Sequence, residues 1–481
     1  MKSDRIFQSG GENMEDTEEL RRIMKEVVDF FDVLVQMRYH SRKTFKVSFI
    51  NGKVKSIDSG TLAGLGVRVW VDGIWGFSST TDLSKDGMFN TVKSALNAAK
   101  LGKGLKEERV RELRNSPVTG DLFVEENRPL DSVPIEEKIE LVKKLDSQPR
   151  KMSDKVVSTN AMYMEMIDEK IIVTSYGTDV YYRDPKSDLR LSVVVSNGNE
   201  MEFGYSSFGA TGGWKELFRR YSSDEMIEEA VKIAIDKLGA KYAEGGDHTV
   251  VLHPSLVGVL AHEAIGHTVE ADFVLSGSIV KGKLGEKVAS DLITLVDDPN
   301  PNIEKGAAGI LLVDDEGNET TKVTIIGNGI LKSYLHDSET SALFNVENTG
   351  NARAFTYSDE PIIRMRNTYI MPGESDPEEI ISSTKSGYYL KGLGGGGQAD
   401  ANAEFMFGVL EAWKIENGKL VHPVREVTIS GQAFDVLSSV DMVGNDFMFT
   451  LGAGYCGKFQ PAKVDAGGPH LRCRVKIGGR K

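Results

Sequence analysis

AHEAIGHTVE, residues 261–270, carries two histidines around a glutamate in the order His262-Glu263-Ala264-Ile265-Gly266-His267. In the zinc-protease pattern H-E-x-x-H the histidines stand four apart and stack on one helical face. Here they stand five apart, which is roughly 140° of rotation at about 100° per residue, so a regular α-helix aims them apart. A π-type bulge would bring them nearer to register, and so would a break at Gly266, where the backbone is freest. Either lets both imidazoles face one ion, with Glu263 as general base on a metal-bound water. A helix end with two incidental histidines accounts for the bare spacing equally well. A catalytic zinc also needs a third protein ligand and an open position. Glu270 and Asp272 are the local candidates, and Cys456, in LGAGYCGKFQP, is the distant one. A free cysteine is otherwise most often a small buried hydrophobe.

Upstream, HPSLVGVLAHEAIGH opens with Pro254 and Ser255, a helix start, and carries Leu256, Val259, Leu260 and Ala264 as an apolar face. The segment EGGD, residues 244–247, ends the preceding amphipathic helix (223–242) and places a domain boundary there. Before the boundary, residues 17–38 read as a helix, with an apolar stripe through Leu20, Met24, Val27 and Phe31 that extends to Leu34 and Val35. Hairpins centre on Asn51-Gly52 and Asp72-Gly73. Further helices are expected over 84–101 and 134–145, and further strands in MYMEMIDEKIIVTSYGTDVYYR and LRLSVVVSNGNEMEFGYS. After the boundary, GILLVDDEGN, KVTIIGNGILKSYL, PIIRMRNTYIMPG, FMFGVLEAWKIENGKLVHPV and REVTISG read as β-segments. The expected fold class is α+β. A loose tail (1–14, with Met14 a second candidate start) precedes an N-terminal α+β domain (15–244). A β-rich C-terminal domain (245–481), sandwich or barrel-like, carries the metal-binding helix.

The 481 residues are 40% hydrophobic and 27% charged, ordinary globular composition for two or three domains. The net charge of −13 argues against nucleic acid as the main partner. Two cysteines are too few for a disulfide framework and suit a reducing cytoplasm. The polar, acidic N-terminus is not a signal peptide, and no run approaches the ~20 apolar residues that cross a membrane.

At this point the chain resembles the TldD/PmbA metalloprotease family, sometimes labelled modulators of DNA gyrase. The carrying stretches are HEAIGHTVEADFV, GKLGEKVASDLITLVDDPN, DDEGNETTKVTIIGNGIL, GLGGGGQADANAEFMF and AGYCGKFQPAKVDAGGPHLR, in family order, and GTLAGLGVRVWVDGIWGFSSTTDL near the N-terminus. The resemblance implies a zinc peptidase with His262, His267 and Cys456 as ligands and Glu263 as the catalytic glutamate. The intact motif places the chain on the TldD-like catalytic branch. That branch implies a homodimer, or a heterodimer with a TldE/PmbA-like subunit, acting on short or unfolded peptides.

KGLGGGGQAD formally contains G-x-G-x-x-G, but no helix pattern follows and no P-loop lysine is present, so a phosphate site is rejected. A flexible or tightly turning loop is expected there. In a functional version, the bare backbone of Gly394, Gly395, Gly396 and Gly397 lies beside an extended substrate, held by β-addition. Asp297-Asp298 and Asp314-Asp315 read as solvated turns, and His470 as structural. Arg353, Arg364 and Arg366 read as carboxylate binders or solvated strand faces. Two rivals to the peptidase stay open: a peptide-binding or regulatory subunit with a structural metal, and a hydrolase of non-peptide amides.

Overall fold

The computed structural model describes residues 14–102, 110–399 and 402–479. The expected tail lies outside these residues, apart from Met14, which opens helix α1 (Met14–Phe30). Strand β1 (Leu34–Ile50) begins inside the stretch expected to stay helical. Its first half is buried on both faces, polar residues included, so the period-two signal of a half-buried strand is absent there. Both predicted hairpin turns form. Asn51 and Gly52 (φ 52° and 83°) join β1 to β2 (Lys53–Val71), and Asp72 and Gly73 (φ 52° and 82°) join β2 to β3 (Ile74–Thr80). Positive φ at both central residues is what a two-residue hairpin turn requires.

Helix α2 (Lys85–Leu101) starts where Ser84 Oγ accepts the Gly87 N–H at 3.1 Å, and it packs on β2 and β3. Helix α3 spans Ile135–Ser147. Strands β4 (Thr119–Phe123), β5 (Val156–Thr174), β6 (Asp179–Ser196) and β7 (Met201–Thr211) complete a seven-stranded sheet. Its order is β3-β2-β1-β5-β6-β4, with β7 also on β6. The following helix, Ser223–Lys237, lies against β6 and β7 and stops short of the expected residue 242, because Lys241–Tyr242 joins a strand at Lys419–Arg425.

The second half closes a five-stranded barrel. Around the ring, Gly246–Leu252 pairs Leu471–Gly478, then Thr428–Gln432, Glu404–Glu416 and Ser386–Ala399, which returns to Gly246–Leu252. The chain is thus α+β with a barrel in its β-rich half. Most of the expected C-terminal β-segments form, but residues 309–318 do not. Asp314 Oδ1 accepts the N–H groups of Glu316 (3.0 Å) and Asn318 (2.8 Å), turning the backbone away from any ladder. The glycine run is not a loop. It continues the barrel strand to Ala399, with register shifts between Leu393 and Gly397.

The acidic pairs are corrected as well. Asp297, Asp298, Asp314 and Asp315 are all buried, Asp315 against Lys170 of the large sheet, Asp297 and Asp298 within the second half. Arg366 Nε donates to Asp297 at 2.7 Å and Lys170 to Asp315 at 2.8 Å, while Arg68 reaches the neighbouring Glu316 at 2.6 Å. Nor are the three arginines solvated or free to bind substrate. Arg353 donates to the Met365 and Lys463 carbonyls, and Arg364 to those of Gln460 and Cys456. Buried charges need partners, and apart from Met365, 12 residues from Arg353, these lie 69 to 248 residues away, beyond the reach of local sequence patterns.

Candidate metal centre

The helix entering the site starts conventionally. His253 caps it, its Nδ1 accepting the Ser255 N–H at 3.1 Å, and Pro254 occupies the first turn of the α-helix Pro254–Val259. From Leu260 to Ile265 the winding becomes π, and the Gly266 N–H reaches the Ala261 carbonyl five residues back. A 3₁₀ turn, Gly266–Val269, follows. The bulge expected from the five-residue spacing is therefore present, and the His262 and His267 ring centroids lie 5.6 Å apart. Gly266 itself has ordinary helical torsions (φ −55°, ψ −43°). A Cβ there would fall 1.9 Å from Met365 Sδ, so that the methionine would have to shift to admit one.

Cys456 arrives on the strand Tyr455–Lys458, the first arm of a hairpin whose second arm is Gln460–Lys463. Arg364 clamps both arms through the Cys456 and Gln460 carbonyls. Donor atoms of His262, His267 and Cys456 all lie within 4.8 Å of one another, and Cys456 Sγ is 3.1 Å from His267 Nε2. His262 is wholly buried, yet neither of its ring nitrogens has a hydrogen-bond partner among the described residues. Burial alone pushes the Cys456 thiol up, but the two imidazoles outweigh it and bring its pKa down to about 5. A thiolate and two imidazoles are the donor set that suits zinc, and the orphaned nitrogens of His262 fit an ion in their midst.

Glu270 and Asp272 are not part of this cluster. Glu270 Oε2 sits 2.9 Å from His267 Nδ1, behind the ring, and 3.2 Å from Lys458 Nζ, which also holds Asp272 at 2.7 Å. A proton on Nδ1 shared with Glu270 leaves Nε2 facing the sulfur, the arrangement that orients a ligating histidine. Glu263 Oε2 lies 3.9 Å from His267 Nε2, and its side chain keeps 39% of its exposure, so the cluster opens on the side where Glu263 stands. His470 is elsewhere, bonded to Asp446 (2.8 Å) and Tyr389 (3.1 Å). Sequence reasoning missed the roles of Arg364, Lys458 and Met365. For Glu270 a signal did exist in its position three residues after His267.

A cavity of about 400 Å³ is bordered by Tyr455, the chain neighbour of Cys456, and by Val259, Leu393, Phe208 and Leu451, but not by His262, Glu263, His267 or Cys456 themselves. The glycine strand flanks it. Pairing with Gly246–Leu252 covers only Tyr388–Leu390, so from Leu393 onward one edge of the strand has no partner strand among the described residues. A Cβ on Gly394 would fall 2.5 Å from the Val409 carbonyl oxygen, whereas one on Gly395 would meet nothing within 4 Å.

A closed barrel beside a histidine–histidine–cysteine cluster is a framework that can hold a metal ion. Three successive segments match the PmbA/TldA metallopeptidase domains: domain 1 at residues 35–99, the central domain at 128–238 and the C-terminal domain at 245–479. A protein of Methanothermobacter thermautotrophicus named metalloprotease is 35% identical over 96% of this chain and 99% of its own length. A Saccharolobus solfataricus protein named zinc metalloprotease TldD homolog is 29% identical over 88% of this chain and 92% of its own. The crystal structure of TldE from Thermococcus kodakarensis shares the fold with a TM-score of 0.75, at 20% identity, over 96% of this chain and all of that one. The chain belongs to the PmbA/TldD metallopeptidase family.

Proposed function

We propose that this protein is a zinc-dependent peptidase in which His262, His267 and Cys456 hold the ion and Glu263 is the general base. The observation that carries the reading is the convergence of three donors beside the half-exposed Glu263. Zinc, when bound, supplies Lewis acidity toward a water molecule and the scissile carbonyl. The remaining work falls to the chain's own groups. Glu263 takes the proton of the attacking water and returns it to the leaving amine. Glu270 holds His267 by Nδ1, and Arg364 fixes the hairpin that presents Cys456. The open edge of the glycine strand, Gly394 to Gly397, offers main-chain groups to an extended peptide. Binding of that kind is tolerant of sequence and suits short or unfolded peptides. A purely structural metal leaves the solvent access of Glu263 without a role.

The name metalloprotease borne by relatives supports the class of activity. We further propose a boundary near residue 244, a cytoplasmic setting and a dimer, either of this chain or with a TldE/PmbA-like subunit. No helix among the described residues is long and apolar enough to cross a membrane. The test is Glu263→Gln, assayed on an unstructured peptide with zinc content measured in parallel. Turnover is expected to fall at least about 100-fold with zinc retained. Wild-type turnover in that variant refutes the general-base role.

A further inference from the structure

A second cavity, of about 20 Å³, lies between the large sheet and the Cys456 hairpin. It has room for one water molecule or one ion of similar size, and is too small for phosphate or sulfate. Eight of its fourteen wall residues are charged, and Phe355, under the Arg42 guanidinium, is among the apolar ones. Arg42 pairs with Asp168 (2.6 and 2.7 Å), Lys170 with Asp315 (2.8 Å) and Lys186 with Asp184. Two further cations in the wall have no carboxylate there. Arg353 bonds only carbonyl oxygens, and Lys463 reaches outward to Asp188, which Arg190 already shares. Each of these charged wall residues is more than nine-tenths buried. Arg42 Nη1, also buried, has no hydrogen-bond partner among the described residues.

We propose that this cavity binds a single monovalent anion of halide size, chloride in a physiological medium. A water molecule would satisfy Arg42 Nη1 but leave the surplus positive charge in a low-dielectric interior, where uncompensated charge is costly. An anion answers both. The wall joins β1, β5 and β6 to Pro461, Ala462 and Lys463, and Ala462 is the register partner of Cys456. The anion therefore ties the hairpin that carries Cys456 to the N-terminal sheet.

Crystals of the full chain soaked in sodium bromide, measured at the bromine edge, are expected to show one anomalous peak beside Arg42 Nη1. In solution, melting in sodium chloride is expected above that in sodium gluconate of equal ionic strength. The gain is about 1–2 °C for each tenfold rise in chloride beyond its dissociation constant. Arg42→Lys keeps a cation for Asp168 but withdraws Nη1, and Ala354→Val fills the cavity from another wall. Either variant, if it folds, is expected to melt equally in the two salts. An ordered water in place of the bromide peak overturns the proposal. So does a wild-type melt indifferent to chloride, or a chloride response that survives in Ala354→Val.

Discussion

Adding one methyl group at Gly266 tests how the π-turn is held. The torsions there are right-handed, so alanine fits the backbone and brings up to about 1 kcal/mol of helix propensity. Against this, the new Cβ falls 1.9 Å from Met365 Sδ and 3.1 Å from its Cε. Carbon contacts relax only near 3.5–4 Å, so helix and methionine must separate by roughly 1.5–2 Å. Met365 is wholly buried and cannot swing into solvent. Overpacking of this kind costs about 1–3 kcal/mol, more than the propensity gain over most of that range. The displaced segment leads directly into His267, and metal sites tolerate misplacement of only about 0.5 Å. Gly266→Ala is therefore expected to melt lower than wild type and to lose at least about tenfold in zinc affinity, or about 1.4 kcal/mol, in competition with a chelating dye. In a Met365→Ala background the same substitution should be neutral or stabilising, with a coupling of about 1–3 kcal/mol in the double-mutant cycle. Wild-type zinc affinity in Gly266→Ala, or strict additivity with Met365→Ala, refutes the steric account.

Cys456→Ala is expected to lose bound zinc under dialysis that leaves the wild type loaded, as measured by metal analysis. Full retention moves the third ligand elsewhere. Glu270→Ala should weaken zinc binding about 10–100-fold through loss of the His267 anchor, and Glu270→Gln, which can still accept from Nδ1, less; a chelator titration that finds Glu270→Ala unchanged removes that role. Arg366→Met strands the buried Asp297 and should cost about 3–5 kcal/mol in urea denaturation. Burial depresses His40 and His336 to about 4 and His253 to about 3. The unfolded chain thus takes up these protons first as pH falls. Stability should decline from about pH 6.5 toward pH 4, by up to about 1.4 kcal/mol per pH unit for each histidine. Denaturation midpoints that stay flat between pH 6.5 and 5 contradict this.

Local chemistry made much of the fold legible. Asn51-Gly52, Asp72-Gly73 and Ser84 mark their turns and cap by their own torsional and hydrogen-bonding preferences, and those features form where expected. Errors fall where distant partners decide. Leu34 leaves a helical pattern for a strand buried on both faces in the large sheet; the glycine run is a different case, since its neighbour Glu404–Glu416 follows closely in sequence but the run has no side chains to show a period. Asp297 and Asp315 read as turns because nothing nearby in sequence betrays their cations, Arg366 and Lys170. At the site, the five-residue spacing could pose the question of a π-turn but not answer it. Cys456 was singled out from a tight glycine loop and a family resemblance, because no periodicity links residues 189 apart.

The same separation orders events in time. His267 leaves the ribosome 189 residues ahead of Cys456, and His262 earlier still, a wait of about 10–40 s at ordinary synthesis rates. The strand that leads into their helix, Gly246–Leu252, waits longer still, since its antiparallel neighbour is Leu471–Gly478. A nascent chain can therefore expose two imidazoles to stray copper or nickel before any thiolate arrives to favour zinc. On the proposed ligand set, the site is completed only when the barrel closes, and correct loading would belong to the finished polypeptide.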